Sequence, residues 1–388
     1  MPDLSLLVLI VVAIVIGYLL GLYSKRRAHS VEVASFNKDY FVGLNYLLNE
    51  QPEEAIDTFI NALDVNSDTV DIYLALGTLF CKRGEVERSI RIHQDLLARP
   101  SLTTSQSIKV QLDLAKDYMY AGLLDRAEAI LVDIIQHNHE HKGEALQQLL
   151  KIYEQEREWL KAIDIAEKLR RSSSESTYYK RLAFYYCELA DHHLNENDRI
   201  MARRCLRNAM GRDRDCVRAS LLLGKMDYQE GRYRDAIKSL ERISRQNNAY
   251  IPLGLPLLEK CYDHLSGKGG YGGYLARCLN EKRGSTVIVA MTRLLLKEKG
   301  VQHAIDFLIT QLYKHPTLKG LNMLVELEYA RGGEQSSPLF LEVTKNMLAL
   351  KPVYACSACG FSGKEMHWQC PGCKKWGVTM PIQGIEGE

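Results

Sequence analysis

The sequence predicts an all-α protein: a solenoid of stacked helix-turn-helix units with an N-terminal single transmembrane helix and a small C-terminal four-cysteine metal module. Three observations predict it. A pattern of small and large residues recurs about every 34 positions through most of the 388 residues. An uncharged apolar run of about 20 residues, Leu4 to Tyr23, opens the chain and matches a hydrocarbon core of about 30 Å at about 1.5 Å per helical residue. Two Cys-x-x-Cys pairs, Cys356/Cys359 and Cys370/Cys373, close it. The composition, 46% hydrophobic and 25% charged with a net charge of +2, is that of an ordinary folded protein and does not suggest a polyanion binder as a whole.

Taken in order, the apolar run is followed directly by Lys25, Arg26 and Arg27, whereas the residues before it carry only Asp3. A cleaved signal peptide would place its positive charge before the run and a small-residue site after it. The pattern predicts an uncleaved anchor over residues 1–24 and a basic juxtamembrane linker over 25–35. By the positive-inside rule the bulk of the chain is then cytoplasmic. Gly17 and Gly21 have the Gly-x-x-x-Gly spacing of a helix-packing face. Six cysteines (Cys81, Cys187, Cys205, Cys216, Cys261, Cys278) are scattered without a spacing pattern, which fits reduced, buried thiols.

The repeat region is read as 36–350, with about nine units, six of them clear. Gly43, Tyr46, Ala55, Phe59 and Ala62 recur 34 residues later as Gly77, Phe80, Ser89, His93 and Leu96. Further copies centre on Ala115, Tyr118, Ala127 and Leu131, on Leu150, Tyr153, Ala162 and Ala166, on Ala190, Ala202, Leu206 and Ala209, and on Gly224, Ala236, Leu240 and Ile243. Ala304, Ile305 and Leu308 look like one more. Turns at Gly84, Gly122 and Gly231 divide several copies. Small residues let paired helices approach, and large residues fill the groove to the next unit. The pattern resembles the tetratricopeptide repeat. Such stacks hold protein or peptide partners, and Tyr40, Leu44, Leu47, Leu74, Thr78, Leu112, Lys116 and Met119 are expected to face the groove.

Other stretches read as structure. Arg199, Arg203, Arg204, Arg207, Arg212, Arg214 and Arg218 lie among Asp198, Asp213 and Asp215, so local pairing on a solvated face is expected; an acidic patch on a partner is the functional alternative. His137, His139 and His141 read as an exposed loop. Gly267 to Gly272 fits Gly-x-Gly-x-x-Gly literally, but it lacks the preceding strand of a dinucleotide site and reads as a loop. No Walker loop, nucleophile elbow or His-Glu-x-x-His is present, so no enzymatic activity is expected.

The module, residues 351–388, is too short to own a core and needs a metal. Each two-residue spacer aims two sulfurs at one point, and two pairs supply the four thiolates that zinc or iron prefers. Cys356, Cys359, Cys370 and Cys373 are therefore the expected ligands of one Fe or Zn ion. Tyr354, Phe361, Trp368 and Trp376 are expected to cover the site and pack on the last repeats. The pairs resemble rubredoxin knuckles, with a much shorter spacer, the ten residues Gly360 to Gln369; this favours a structural or regulatory metal over electron transfer.

With Arg83-Gly-Glu-Val-Glu-Arg-Ser-Ile-Arg-Ile-His93 and Trp368-Gln-Cys-Pro-Gly-Cys-Lys-Lys-Trp376, the whole chain resembles the lipopolysaccharide assembly protein B family of Gram-negative bacteria. The resemblance implies an inner-membrane adaptor with a periplasmic N-terminus that regulates lipopolysaccharide (lipid A) biosynthesis. It implies three partners: the membrane protease FtsH, the committed-step UDP-acyl-GlcNAc deacetylase LpxC as its client, and an inner-membrane regulatory protein at the anchor. A scaffold for another envelope assembly, possible self-association, and a redox protein with a rubredoxin-type iron are the other readings the residues leave open.

Overall fold

A computed structural model describes residues 42, 45, 46, 58, 70–100, 102–137, 140–172, 177–265, 268–281, 284–332 and 338–388. The expected anchor and linker, the repeat positions Gly43, Ala55, Phe59 and Ala62, and the expected groove residues Tyr40, Leu44 and Leu47 lie outside these. Among the described residues no helix is long and apolar enough to cross a membrane. The chain divides into two compact units, up to Ile152 and from Tyr153 on.

The described helices are α1 (Val70–Arg83), α2 (Val86–Leu97), α3 (Thr104–Tyr120), α4 (Leu124–His137), α5 (Lys142–Glu156), α6 (Trp159–Ser172), α7 (Thr177–Asn195), α8 (Arg199–Arg212), α9 (Val217–Gln229) and α10 (Tyr233–Gln246). A 3₁₀ turn (Asn248–Tyr250) leads to α11 (Ile251–His264), α12 (Lys268–Glu281), α13 (Ser285–Lys299), α14 (Val301–Lys314), α15 (Leu318–Ala330) and α16 (Pro338–Leu350).

The repeat positions do the packing the period implies. Ala115, Ala127, Ala162, Ala166, Ala190, Ala202, Ala209 and Ala236 are all fully buried. A Cβ at Gly77 would stand 2.4 Å from Nε2 of His93, and one at Gly224 would stand 2.7 Å from the Leu240 side chain; only glycine lets these helix pairs close. Ala304, Ile305 and Leu308 are buried on α14 as the later copy requires.

In the first unit the repeat carries polar residues inside. Ser89 Oγ donates to Asp117 Oδ2 at 2.7 Å, and His93 Nδ1 lies 2.6 Å from the same oxygen. All three side chains are buried. The mutual pairing explains how a carboxylate is tolerated between two repeats.

Five of the turns inside the repeats share one hydrogen bond. The N–H groups of Glu85, Leu123, Glu158, Asp198 and Arg232 donate to the carbonyls of Phe80, Tyr118, Tyr153, His193 and Asp227, each five residues back. That is the bond of a Schellman helix end, which needs a left-handed residue just before the donor. Gly84, Gly122 and Gly231 supply it at φ +87, +76 and +72. Where the sequence has no glycine, Arg157 and Asn197 adopt φ 60 and 61 instead.

Two expectations are corrected. Gly269 to Gly272 is helix, within α12, not a loop; a Cβ at Gly270 would stand 2.5 Å from the Tyr262 ring, so the small residues serve close helix packing. Leu74 and Leu112 are buried in the helix pairs and do not face a groove, because their positions point at the neighbouring helix. Thr78 is exposed, and Lys116 is tied to Asp113 and Glu144. The arginine-rich stretch does pair locally: Arg203 meets Asp227 and Glu230, Arg212 meets Glu167, and Arg218 meets Glu188 and Asp191.

Candidate metal centre

After α16 the chain turns to three short strands: β1 (Tyr354–Cys356), β2 (Ser362–Gly363) and β3 (Thr379–Pro381). β1 is central and antiparallel to both neighbours, with Tyr354 opposite Gly363 and Pro381. The two cysteine knuckles fall in the connections.

The knuckles are built alike. The N–H of Gly360 donates to Cys356 O at 3.0 Å, and the N–H of Lys374 donates to Cys370 O at 2.8 Å. The N–H of Cys356 donates to Phe361 O at 2.7 Å, and that of Cys370 to Lys375 O at 2.9 Å. The fourth residue after each leading cysteine is left-handed, Gly360 at φ +77 and Lys374 at φ 57. Gly360 is legible as a turn residue; Lys374 is not, because its side chain gives no sign of the conformation.

The turns bring the four sulfurs together. Sγ of Cys356 lies 3.8 Å from that of Cys373, and Sγ of Cys359 lies 3.6 Å from that of Cys370. All four lie within 4.8 Å of one another. Metal–sulfur bonds of about 2.3 Å in a tetrahedron put sulfurs about 3.8 Å apart, so the cluster has the size of a four-thiolate site. Cys356 and Cys370 are buried, Cys373 is half-buried and Cys359 is exposed.

The electrostatics set the two sulfurs of the first knuckle apart. Burial pushes the Cys356 thiol up, but the N–H groups of Ala358 and Cys359 and the neighbouring thiols bring it down to about 6. At Cys359 the Phe361 N–H acts downward, yet burial and the other three sulfurs win and push it up to about 11. A divalent ion at the centre would favour the thiolate at all four. His367 lies against the Phe361 ring and is not among the grouped ligand atoms. His137 is exposed with Nδ1 3.1 Å from Asp133 O, and His139 lies outside the described residues. A second group, His192, His193 and Glu196, comes together on and just after the last turn of α7; the sequence reading missed it, and its one-and-four spacing on a helix was the signal.

The module's two tryptophans dock upstream of the last repeats. Trp376 Nε1 donates to Glu154 Oε1 at 2.8 Å, on α5. Its ring stacks on Phe184 at 5.5 Å and meets Tyr185 and Trp159 edge-on at 5.8 and 6.0 Å. Trp368 stacks on Tyr250 at 5.6 Å, and Tyr250 Oη donates to Thr379 O at 2.8 Å. Burial pushes the Tyr250 hydroxyl up to about 12, so it stays a donor. Glu154 also accepts from Tyr185 and Arg181, which fixes the carboxylate before the indole arrives. The tail adds its own ties: Thr286 N donates to Glu388 Oε2 at 3.0 Å, Lys319 pairs with the same carboxylate, and Ser285 Oγ donates to Gly387 O at 2.6 Å. Trp368 and Trp376 therefore cover α5–α7 and the 3₁₀ turn, and the tail reaches α13 and α15. This corrects the expectation that the aromatic residues pack on the last repeats. The partners of Trp376 lie about 200 residues upstream, where no local pattern announces them.

Comparison with known proteins agrees with this architecture. Residues 354–378 match a family model described as rubredoxin metal binding domain, and residues 187–251 match one described as tetratricopeptide repeat. Lipopolysaccharide assembly protein B of Escherichia coli strain K12 is 33% identical over 386 residues, covering 98% of this chain and 99% of that protein. The chain belongs to the lipopolysaccharide assembly protein B family. The relative of that name from Haemophilus influenzae strain KW20 Rd is 32% identical and covers 98% of both chains. A solved structure of MamA residues 41-end from Desulfovibrio magneticus RS-1 covers 47% of this chain and 97% of its own, at 13% identity and a TM-score of 0.33, too small a likeness to carry an argument. The family member described here thus combines tetratricopeptide-like helical repeats with a four-cysteine metal-binding module, and its repeats are of the kind that bind proteins.

Proposed function

We propose that the chain is an inner-membrane-anchored cytoplasmic adaptor that regulates lipopolysaccharide synthesis by promoting FtsH-dependent proteolysis of LpxC. The supporting observation is identity of 33% along essentially the whole length of lipopolysaccharide assembly protein B. In this reading residues 1–24 anchor the chain with the N-terminus in the periplasm and contact an inner-membrane regulatory protein. Residues 25–35 are the basic linker, 36–350 hold the client, and 351–388 bind one Fe or Zn ion through Cys356, Cys359, Cys370 and Cys373. The metal stabilises the module, and Trp368 and Trp376 transmit that order to α5–α7 and the 3₁₀ turn. The chain itself performs no chemistry on LpxC.

The test is a deletion of residues 1–24 compared with the full chain in cells. The deletion is expected to keep helical circular dichroism and bound metal while LpxC accumulates. Normal LpxC turnover with the deletion would sink the tethering idea. Absence of both FtsH and LpxC from a membrane pull-down of the full chain would sink the adaptor reading. A redox role for a rubredoxin-type iron is the second reading, favoured by the exposure of Cys359. Metal content and the visible spectrum of anaerobically purified protein separate it from a zinc site.

A further inference from the structure

The arginine stretch is not exhausted by its ion pairs. α8 carries five arginines and no acid. Arg203 and Arg212 are spent on carboxylates, but Arg204 and Arg207 are exposed and no described carboxylate lies within 4 Å of either. The same holds for Arg242 and Arg245 on α10. The second helices of these consecutive repeats are tied side by side. Arg212 Nη2 on α8 reaches Glu167 on α6 at 2.7 Å, and Gln246 Nε2 on α10 donates to Arg214 O just after α8 at 2.7 Å.

Sequence spacing gives each of these helices an outward stripe. On α8 it runs Ile200, Arg204, Arg207, and on α10 it runs Arg234, Lys238, Arg242, Arg245, all exposed. Asp164 on α6 pairs with Lys168, and Asp235 on α10 with Lys238; the acids just after α8 are the half-buried Asp213, whose Oδ1 accepts from Asp215 N, and the exposed Asp215, so the arginines outnumber the unpaired acids. Two aliphatic side chains stand exposed at the starts of α6 and α8: Leu160 is 69% exposed and Ile200 is 81% exposed.

We infer that the outer face of α6, α8 and α10 rests on the anionic headgroups of the membrane that anchors the chain. Guanidinium groups spread over neighbouring helices match a diffuse negative surface. An aliphatic tip among arginines suits a headgroup layer, whose phosphates take the charge and whose glycerol region takes the apolar carbon. The inference rests on the anchored reading above.

The full chain, reconstituted into phosphatidylcholine vesicles and into vesicles with about one-third phosphatidylglycerol, tests it by arginine footprinting with phenylglyoxal and mass spectrometry. Each cation near an anionic surface is worth about five-fold in local occupancy. Arg204, Arg207, Arg242 and Arg245 are therefore expected to be modified at least about three-fold more slowly in the anionic vesicles. That protection should vanish in roughly 0.5 M salt. Arg88, exposed and paired with Glu85, should not change. Arg204→Glu with Arg242→Glu should release Arg207 and Arg245. Equal modification in both vesicle types overturns the inference. Protection in native membranes but not in anionic vesicles also overturns it, and assigns the face to an acidic protein. Flotation judges the anchor separately: an anchored chain stays with pure phosphatidylcholine vesicles in high salt. If it leaves them, the anchored reading falls, while the footprint of chain mixed with anionic vesicles still decides the face.

Discussion

Within the second unit, buried repeat residues pack in clusters shared by consecutive helices, as Ala190, Ala202, Leu206 and Ala219 do across α7, α8 and α9, so a local fault is shared among neighbours. Between Tyr354 and Pro381, strands of two or three residues hang on four sulfurs and two indoles. The repeats therefore degrade by degrees, and the module fails at once. The difference teaches where a regulatory signal can enter: one atom at the metal site decides whether the aromatic seam on α5–α7 exists.

Cys370→Ser is the largest test of this contrast. It should remove most of the about 10–16 kcal/mol that a structural metal contributes. Bound metal and near-ultraviolet dichroism of the tryptophans should be lost while far-ultraviolet helicity largely persists. A metal-free variant with intact tryptophan dichroism would show that the module does not hang on the ion. Trp376→Ala comes next, at about 3 kcal/mol for a partly buried indole. Denaturant unfolding should weaken while metal content stays at one ion per chain.

Within the repeats, Gly224→Ala should cost about 1–3 kcal/mol, because the new methyl meets Leu240 and the helix pair must open. A loss that spreads evenly along the helices in hydrogen exchange would support nearest-neighbour sharing; loss confined to α9 and α10 would sharpen it to one unit. The smallest effect has the opposite sign. Arg157→Gly relieves a left-handed residue bearing a side chain and should stabilise by about 1 kcal/mol, read as a rise in melting temperature.

The repeats were legible because their packing is periodic: Gly77 against His93 and Gly224 against Leu240 stand one repeat rule apart from their partners. The metal ligands were legible because two-residue spacing is local geometry. The left-handed turns at Arg157 and Asn197 were not, since the tertiary fold imposes there what glycine elsewhere permits. The docking of Trp376 on Glu154, Phe184 and Tyr185 was not, since it joins distant stretches that share no pattern. Leu74 and Leu112 were misplaced into a groove because amphipathic spacing alone does not say which of two apolar sides meets a helix and which meets a partner.

The bond from Trp376 to Glu154 spans 222 positions. At about 5–20 residues per second of synthesis, the ribosome takes roughly ten to forty-five seconds to travel that distance. For most of that interval Phe184, Tyr185 and Trp159 present an aromatic face without its tryptophan partner. Delivery of the ion then becomes a checkpoint on biogenesis: cells short of metal would display this face to chaperones and proteases, so the abundance of the protein itself would report metal supply.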